Sequence, residues 1–151
     1  MTDNTLHILL VDDNKNEHIF FTHALKYIGV SFKLSGLTGG LQLMKYLKED
    51  SNPLPDILFL DVNMPIKNGI DCLTEIRADD RYRDMPIVMY STSDAPKDTD
   101  VTYQLGADLY VQKPVEIEDL VSMLSSVLDA YRHNQLLNNS RENYVLTLSK
   151  K

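Results

Sequence analysis

Five short apolar runs, at residues 6–11, 30–35, 56–60, 86–91 and 107–112, alternate with segments of helical pattern. Several of the runs are apolar throughout instead of every second residue. That is the mark of strands buried on both faces of a parallel sheet. Parallel strands need crossover connections, and the segments between the runs are long enough to supply helices. The last helical segment is the clearest: Ile117, Leu120, Val121, Leu124, Val127, Leu128 and Tyr131 recur at steps of three and four. A first helix carries Ile19, Phe20, Ala24, Leu25 and Ile28; a second carries Leu43, Met44 and Leu47 and ends before Asn52-Pro53; a third carries Ile70, Leu73 and Ile76. The fourth is weaker, with Asp94 as its expected cap, Pro96 in its first turn, Val101 and Leu105 on one side, and Gly106 as its stop. Repeated β-α units predict an α/β fold, a doubly wound parallel sheet of five strands with helices on both faces.

One domain accounts for the chain. A body of 151 residues buries enough surface to fold without disulfides, and the single cysteine, Cys72, excludes an internal disulfide framework and a cysteine-based zinc cluster. The expected division is a domain over residues 1–131 and a tail over 132–151. Residues 143–148 in that tail alternate like a strand. A lone strand must pair with an edge of this sheet, with a second protomer or with a partner, or else fray. The fifth helix is also open to extension through His133 towards Leu137. There is no leader-like start and no apolar run near the length of a membrane span, so a cytoplasmic location is expected. The net charge is −7, and the tail contributes +3, which leaves −10 on residues 1–131. Such a body repels a phosphate backbone, so nucleic-acid binding is not expected of it.

In an open parallel sheet, functional groups gather at the carboxyl ends of the strands. Here the first run ends in Asp12-Asp13, the third in Asp61, the fourth in Ser91-Thr92 and the fifth in Lys113-Pro114. Three carboxylates close together repel unless a cation relieves them, and an all-oxygen donor set suits Mg²⁺. Lys113 and the Ser91 hydroxyl then supply positive charge and a donor for a phosphoryl group in transfer. Asp61 stands alone before the open loop 62–68, which makes it the candidate nucleophile.

The segments Leu10-Val11-Asp12-Asp13, Leu60-Asp61-Val62-Asn63-Met64-Pro65 with Gly69, Tyr90-Ser91-Thr92 and Tyr110-Val111-Gln112-Lys113-Pro114 resemble the receiver domains of two-component response regulators. The separations are 48 residues from Asp13 to Asp61, 30 from there to Ser91 and 22 to Lys113, and the likeness covers residues 5–131. It implies a flavodoxin-like fold with strand order 2-1-3-4-5. It also implies Asp61 as phosphoryl acceptor, with Asp13, Asp61 and the backbone carbonyl of Asn63 as Mg²⁺ ligands and Asp12 acting through a metal-bound water. Lys113 would bridge Asp61 or the phosphoryl oxygens, Ser91 and Tyr110 would be switch residues, and Pro114 would follow a cis peptide bond. A histidine kinase or histidine phosphotransfer protein is the implied donor. A downstream protein would bind the surface of helix four, strand five and helix five. The expected type is a stand-alone receiver and not a classical enzyme.

Plainer readings stand beside these. Asp12-Asp13 alone serves equally as a helix-capping pair. Asp61 alone resembles a nucleotide-hydrolase aspartate, but no GxxxxGK[ST] loop is present. An FMN carrier would need a phosphate-cradling loop where this chain has Asp12-Asp13-Asn14-Lys15-Asn16, and an aspartate-based phosphatase would need a second acid where Asn63 stands. A receiver-like adaptor that acts without phosphorylation would be expected to have a broken acidic set.

Overall fold

The computed structural model describes residues 5–136 and 140–146. In chain order the elements are β1 (Leu6–Val11), α1 (Lys15–Ile28), β2 (Phe32–Leu37), α2 (Gly40–Lys48), β3 (Ile57–Leu60), α3 (Gly69–Arg77), a 3-10 turn (Asp80–Tyr82), β4 (Ile87–Ser91), α4 (Pro96–Gln104), β5 (Leu109–Gln112), α5 (Ile117–Arg132), α6 (Arg141–Tyr144) and β6 (Val145–Leu146). All strand pairs are parallel, in the order β2-β1-β3-β4-β5-β6.

Burial on both faces explains the unbroken apolar runs. Leu9, Val11, Leu58, Leu60, Ile87 and Met89 point to one face and pack against Leu43 and Leu47 of α2 and Leu73 and Ile76 of α3. Their chain neighbours Ile8, Leu10, Ile57, Phe59, Val88 and Tyr90 point to the other and meet Phe21 and Leu25 of α1 and Leu124 and Leu128 of α5. On that second face Phe21, Phe59 and Tyr90 form a cluster of edge-to-face rings, with centroids 4.9 to 6.3 Å apart. At the opposite end from the acidic strand tips, the Arg77 guanidinium donates to the carbonyls of Gly106, Tyr82 and Met85 and to Asp108 Oδ2, which ties α3 to the starts of β4 and β5.

Local signals set the element ends. Asn14 caps α1 through Asn16 N–H, and Gly29, at φ 81°, ends it. Asn68 and Asp71 form a reciprocal capping box on α3. Details at β2, α4 and α5 differ from the sequence expectation. β2 begins at Phe32, two residues late, because Ser31 lies in the connection after Gly29 and its carbonyl accepts Leu6 N–H. The cap position of α4 is Ala95, not Asp94; Ser93 Oγ accepts Ala95 N–H and donates to Asp98. The buried residues of α4 are Thr99 and Thr102, while Val101 and Leu105 are half-buried. Helix α5 stops at Arg132 because Asn134 takes a left-handed conformation, φ 57°, that turns the chain.

The expected five strands are present, and a sixth is added. Of the strand-like run 143–148, Val145 and Leu146 pair with Tyr110 and Val111 of β5, Asn143 and Tyr144 close a helical turn, and 147–148 lie outside the described residues. Of the choices open to the tail, the structure takes the edge of its own sheet.

Replacing Phe59 by alanine removes one of the three rings of the aromatic cluster from a closed core. Phe59→Ala is expected to cost about 3–5 kcal/mol, read as a lower urea midpoint at unchanged slope.

Candidate functional site

Each chemistry-bearing residue stands one or two positions past the last residue of a buried strand, or on it. Asp12 and Asp13 follow β1, Asp61 follows β3, Ser91 ends β4 and Lys113 follows β5. One oxygen from each of Asp12, Asp13 and Asp61 lies within 4.8 Å of the others. Asp12 and Asp61 are buried and Asp13 is exposed, so the cluster opens to solvent on one side.

Lys113 is the counter-charge. Its Nζ is 2.6 Å from Asp12 Oδ2 and 3.4 Å from Asp61 Oδ2. The remaining oxygens are held by backbone: Asn14 N–H donates to Asp12 Oδ1 and Asn63 N–H to Asp61 Oδ1. These bonds are the Asx turns that start the two loops after the strands. Asp12 Oδ2 is buried and, despite its short ion-pair contact, has no well-angled hydrogen-bond donor. An under-satisfied carboxylate oxygen beside two more carboxylates is the donor set of a hard divalent cation, so the residues fit one.

The charges here are finely balanced. Burial pushes the Asp61 carboxyl up from its usual 3.8 to about 6; Lys113 opposes this and Asp12 adds to it. Burial alone would lower the Lys113 pKa, but its contact with Asp12 and the field of both acids hold it above the ordinary lysine value. The ammonium also stands 5.6 Å from the centroid of the Tyr90 ring.

The backbone shapes the pocket as well. A Cβ on Gly69 would lie 2.1 Å from the Asp61 carbonyl oxygen, so only glycine allows α3 to start against the end of β3. Ser91 and Tyr110 meet through one residue between them. Ser93 N–H donates to Ser91 Oγ at 3.2 Å, and the Tyr110 hydroxyl donates to Ser93 O at 2.7 Å.

One expectation is corrected. The structure contains no cis peptide bond among the described residues, so the bond before Pro114 is trans. Trans is the lower-energy form of an X–Pro bond by about 0.5–1 kcal/mol, and Lys113 reaches both acids from it. Three features escaped the sequence reading. Tyr90 beneath Lys113 has its hydroxyl 3.4 Å from Glu17 Oε2, and the signal was its place one residue before Ser91, on the opposite sheet face. The close approach at Gly69 left no sequence signal beyond the glycine itself. The seat of Tyr144 against Tyr110 depends on how the tail returns to the sheet.

The raised Asp61 pKa has a consequence for stability in metal-free protein. Between about pH 4 and 6 the folded state keeps a proton that the unfolded state releases, so stability falls as pH rises through that window. Asp61→Asn removes this dependence. Urea unfolding of both proteins in chelator should show the variant's advantage growing from pH 4 to 7, to about 1–2 kcal/mol after solvent screening.

Comparison with known proteins gives a consistent result. The model of the response regulator receiver domain family matches residues 8–125. The response regulator Rcp1 of Synechocystis sp. is 30% identical over 124 residues, covering 80% of this chain and 84% of that protein. The chemotaxis protein CheY1 of Helicobacter pylori is 29% identical over 121 residues, covering 80% and 95%. Among solved structures, the phosphorylated cyanobacterial phytochrome response regulator RcpA superimposes with a TM-score of 0.78 at 27% identity, covering 89% of this chain and 99% of that one. Mn²⁺-bound Rcp1 gives 0.75 at 27%, covering 89% and 97%. A family match over most of the chain, a doubly wound parallel sheet and three acids with a lysine at its strand ends make this chain a member of the response regulator receiver domain family.

Proposed function

We propose that the chain is a phosphorylation switch of a two-component or phosphorelay system, with Asp61 as the phosphoryl acceptor. The observation that carries this reading is the meeting of Asp12, Asp13 and Asp61 with Lys113 at one sheet edge. The donor is the phosphohistidine of a histidine kinase or histidine phosphotransfer protein, met in the cytoplasm. An Asp61 carboxylate oxygen attacks phosphorus, a P–O bond forms, and the P–N bond to the donor imidazole breaks. Asp12, Asp13, Asp61 and the Asn63 carbonyl would hold Mg²⁺, which neutralises phosphoryl charge when bound; Mn²⁺ in the related Rcp1 supports such a site. Lys113 is close enough to Asp61 to accompany the new phosphoryl oxygens, and in doing so it would leave Asp12. Above about pH 6 Asp61 is ionised and nucleophilic even without a metal, and the cation extends that range downward.

The chemistry is acceptance and slow loss of the chain's own phosphoryl group, with no turnover of a separate substrate. The readout follows from Ser91 Oγ. Drawn towards a phosphoryl oxygen, it releases Ser93 N–H, and the loop that fixes the Tyr110 hydroxyl shifts. The surface of α4, β5 and α5 then presents a different face to a downstream protein.

Acetyl phosphate with Mg²⁺ should add one phosphoryl to the intact mass, and neither Asp61→Asn nor chelator-treated protein should gain it. Labelling that survives both treatments contradicts the assignment. Lys113→Ala should keep Mg²⁺ affinity or raise it, because a competing positive charge leaves the acids. It should at the same time slow labelling by about 10²-fold or more. Magnesium titration beside the mass time course separates the two effects.

A further inference from the structure

Asp12 is fully buried, so its backbone carbonyl needs a hydrogen-bond donor as much as its carboxylate does. On one side β1 ends against β3, where Asp61 N–H donates to the Val11 carbonyl. On the other side Asp12 N–H donates to the carbonyl of Leu37, the last residue of β2. The N–H and C=O of one strand residue point the same way, so the Asp12 carbonyl also faces β2. The ladder donor it would take next belongs beyond Leu37, where the chain has left the strand for α2. His18, in the first turn of α1, takes that place: its Nε2 lies 2.8 Å from the Asp12 carbonyl oxygen. A carbonyl only accepts, so Nε2 carries the hydrogen and donates.

β2 is shaped for the imidazole. Gly36 pairs with Leu10 within the ladder. Glycine weakens a strand, and its presence inside one often marks the close approach of another group. Here that group is the His18 ring, since a Cβ on Gly36 would lie 2.6 Å from Nδ1 and 3.0 Å from Cε1. The helix histidine and the strand glycine therefore form one seat.

The peptide held in this way is the one that leads into Asp13. It is planar, so fixing its oxygen fixes the plane and with it the direction in which the Asp13 side chain leaves the backbone. Nothing else sets that direction. The Asp12 carboxylate is held by Asn14 N–H and Lys113, and that of Asp61 by Asn63 N–H and Lys113. Asp13 is exposed, and among the described residues its side chain has no hydrogen bond or ion pair. One of its oxygens nevertheless lies within 4.8 Å of an oxygen of each of the other two acids. A carboxylate without side-chain partners stands where its backbone puts it.

We propose that His18 is the positioning residue of the cation site: its Nε2–H fixes the Asp12–Asp13 peptide and, through it, aims the Asp13 carboxylate at the other two acids. The inference rests on the reading of Asp12, Asp13 and Asp61 as holders of a divalent cation. It adds a residue that touches neither the cation nor the phosphoryl group, and it gives Gly36 a reason.

The test is Mn²⁺ binding to the full chain, read by electron paramagnetic resonance with no phosphodonor present. Wild type should bind, and Asp13→Asn should weaken binding about tenfold or more. His18→Asn, whose amide is too short to reach the carbonyl, should weaken it to a similar degree. His18→Gln, whose amide nitrogen takes the place of Nε2, should bind close to wild type. Adding His18→Asn to Asp13→Asn should cost nothing more, because His18 acts through Asp13. Gly36→Ala pushes the ring from its seat and leaves the histidine in place, so it keeps the test usable if His18→Asn folds poorly; it too should weaken binding. Wild-type affinity in both His18→Asn and Gly36→Ala, a glutamine no better than asparagine, or a second full loss on the Asp13→Asn background overturns the inference and leaves the cation site standing. Wild type that does not bind Mn²⁺, or Asp13→Asn that binds as well as wild type, overturns the cation site and this inference with it.

Discussion

Lys113 is a buried cation with two buried acids around it, and a third acid stands beside those two. Removing an ion from water costs several kcal/mol, and only close, correctly placed partners return that energy. The arrangement therefore tolerates little displacement. Nζ stands nearer to Asp12 than to Asp61, and burial, only partly offset by the ammonium, raises the Asp61 pKa to about 6. A site poised in this way responds to added charge, because the balance between the two ion pairs of the ammonium is close. The ring of Tyr90 below the ammonium fixes the direction from which it reaches in.

Such placement depends on stiff supports. The three acids and the lysine stand at the tips of strands whose bodies are closed on both faces, so the sheet acts as one rigid plate. The loops that follow the acids begin with the acids' own side chains, Asp12 to Asn14 N–H and Asp61 to Asn63 N–H, so the same carboxylates are both chemistry and turn. Gly69 lets α3 begin in contact with the Asp61 carbonyl. Fold and site thus share residues.

Outward from the pocket, a continuous path of contacts leads to the far side of the sheet edge. Ser91 is joined to Ser93, Ser93 to the Tyr110 hydroxyl, Tyr110 to Tyr144, and Tyr144 to Thr102 of α4. These links are hydrogen bonds and ring contacts, not deeply interlocked aliphatic packing, and α4 itself buries only two threonines. An element held mainly by polar contacts sits at the low-stability end of a fold and moves first when one contact is drawn away.

Alternation of apolar runs with helical stripes determined the α/β class, and the strand-end positions of Asp12, Asp13, Asp61, Ser91 and Lys113 identified the site. These are properties of local periodicity and of where strands stop, and both are written along the chain. Element ends were legible where a residue announces them, as at Pro96 and Gly106 on either side of α4, and missed where a backbone turn such as Asn134 decides. The sharing of Lys113 between two acids and the ring of Tyr90 beneath it were decided by tertiary structure alone. The same holds for the tail. Its strand-like alternation was visible, but its partner was not, since pairing depends on which edge lies within reach once the sheet is built and α5 has turned the chain at Asn134. Local sequence specifies what a segment can become; contacts between residues tens of positions apart, such as Tyr144 with Thr102, exist only after folding brings them together.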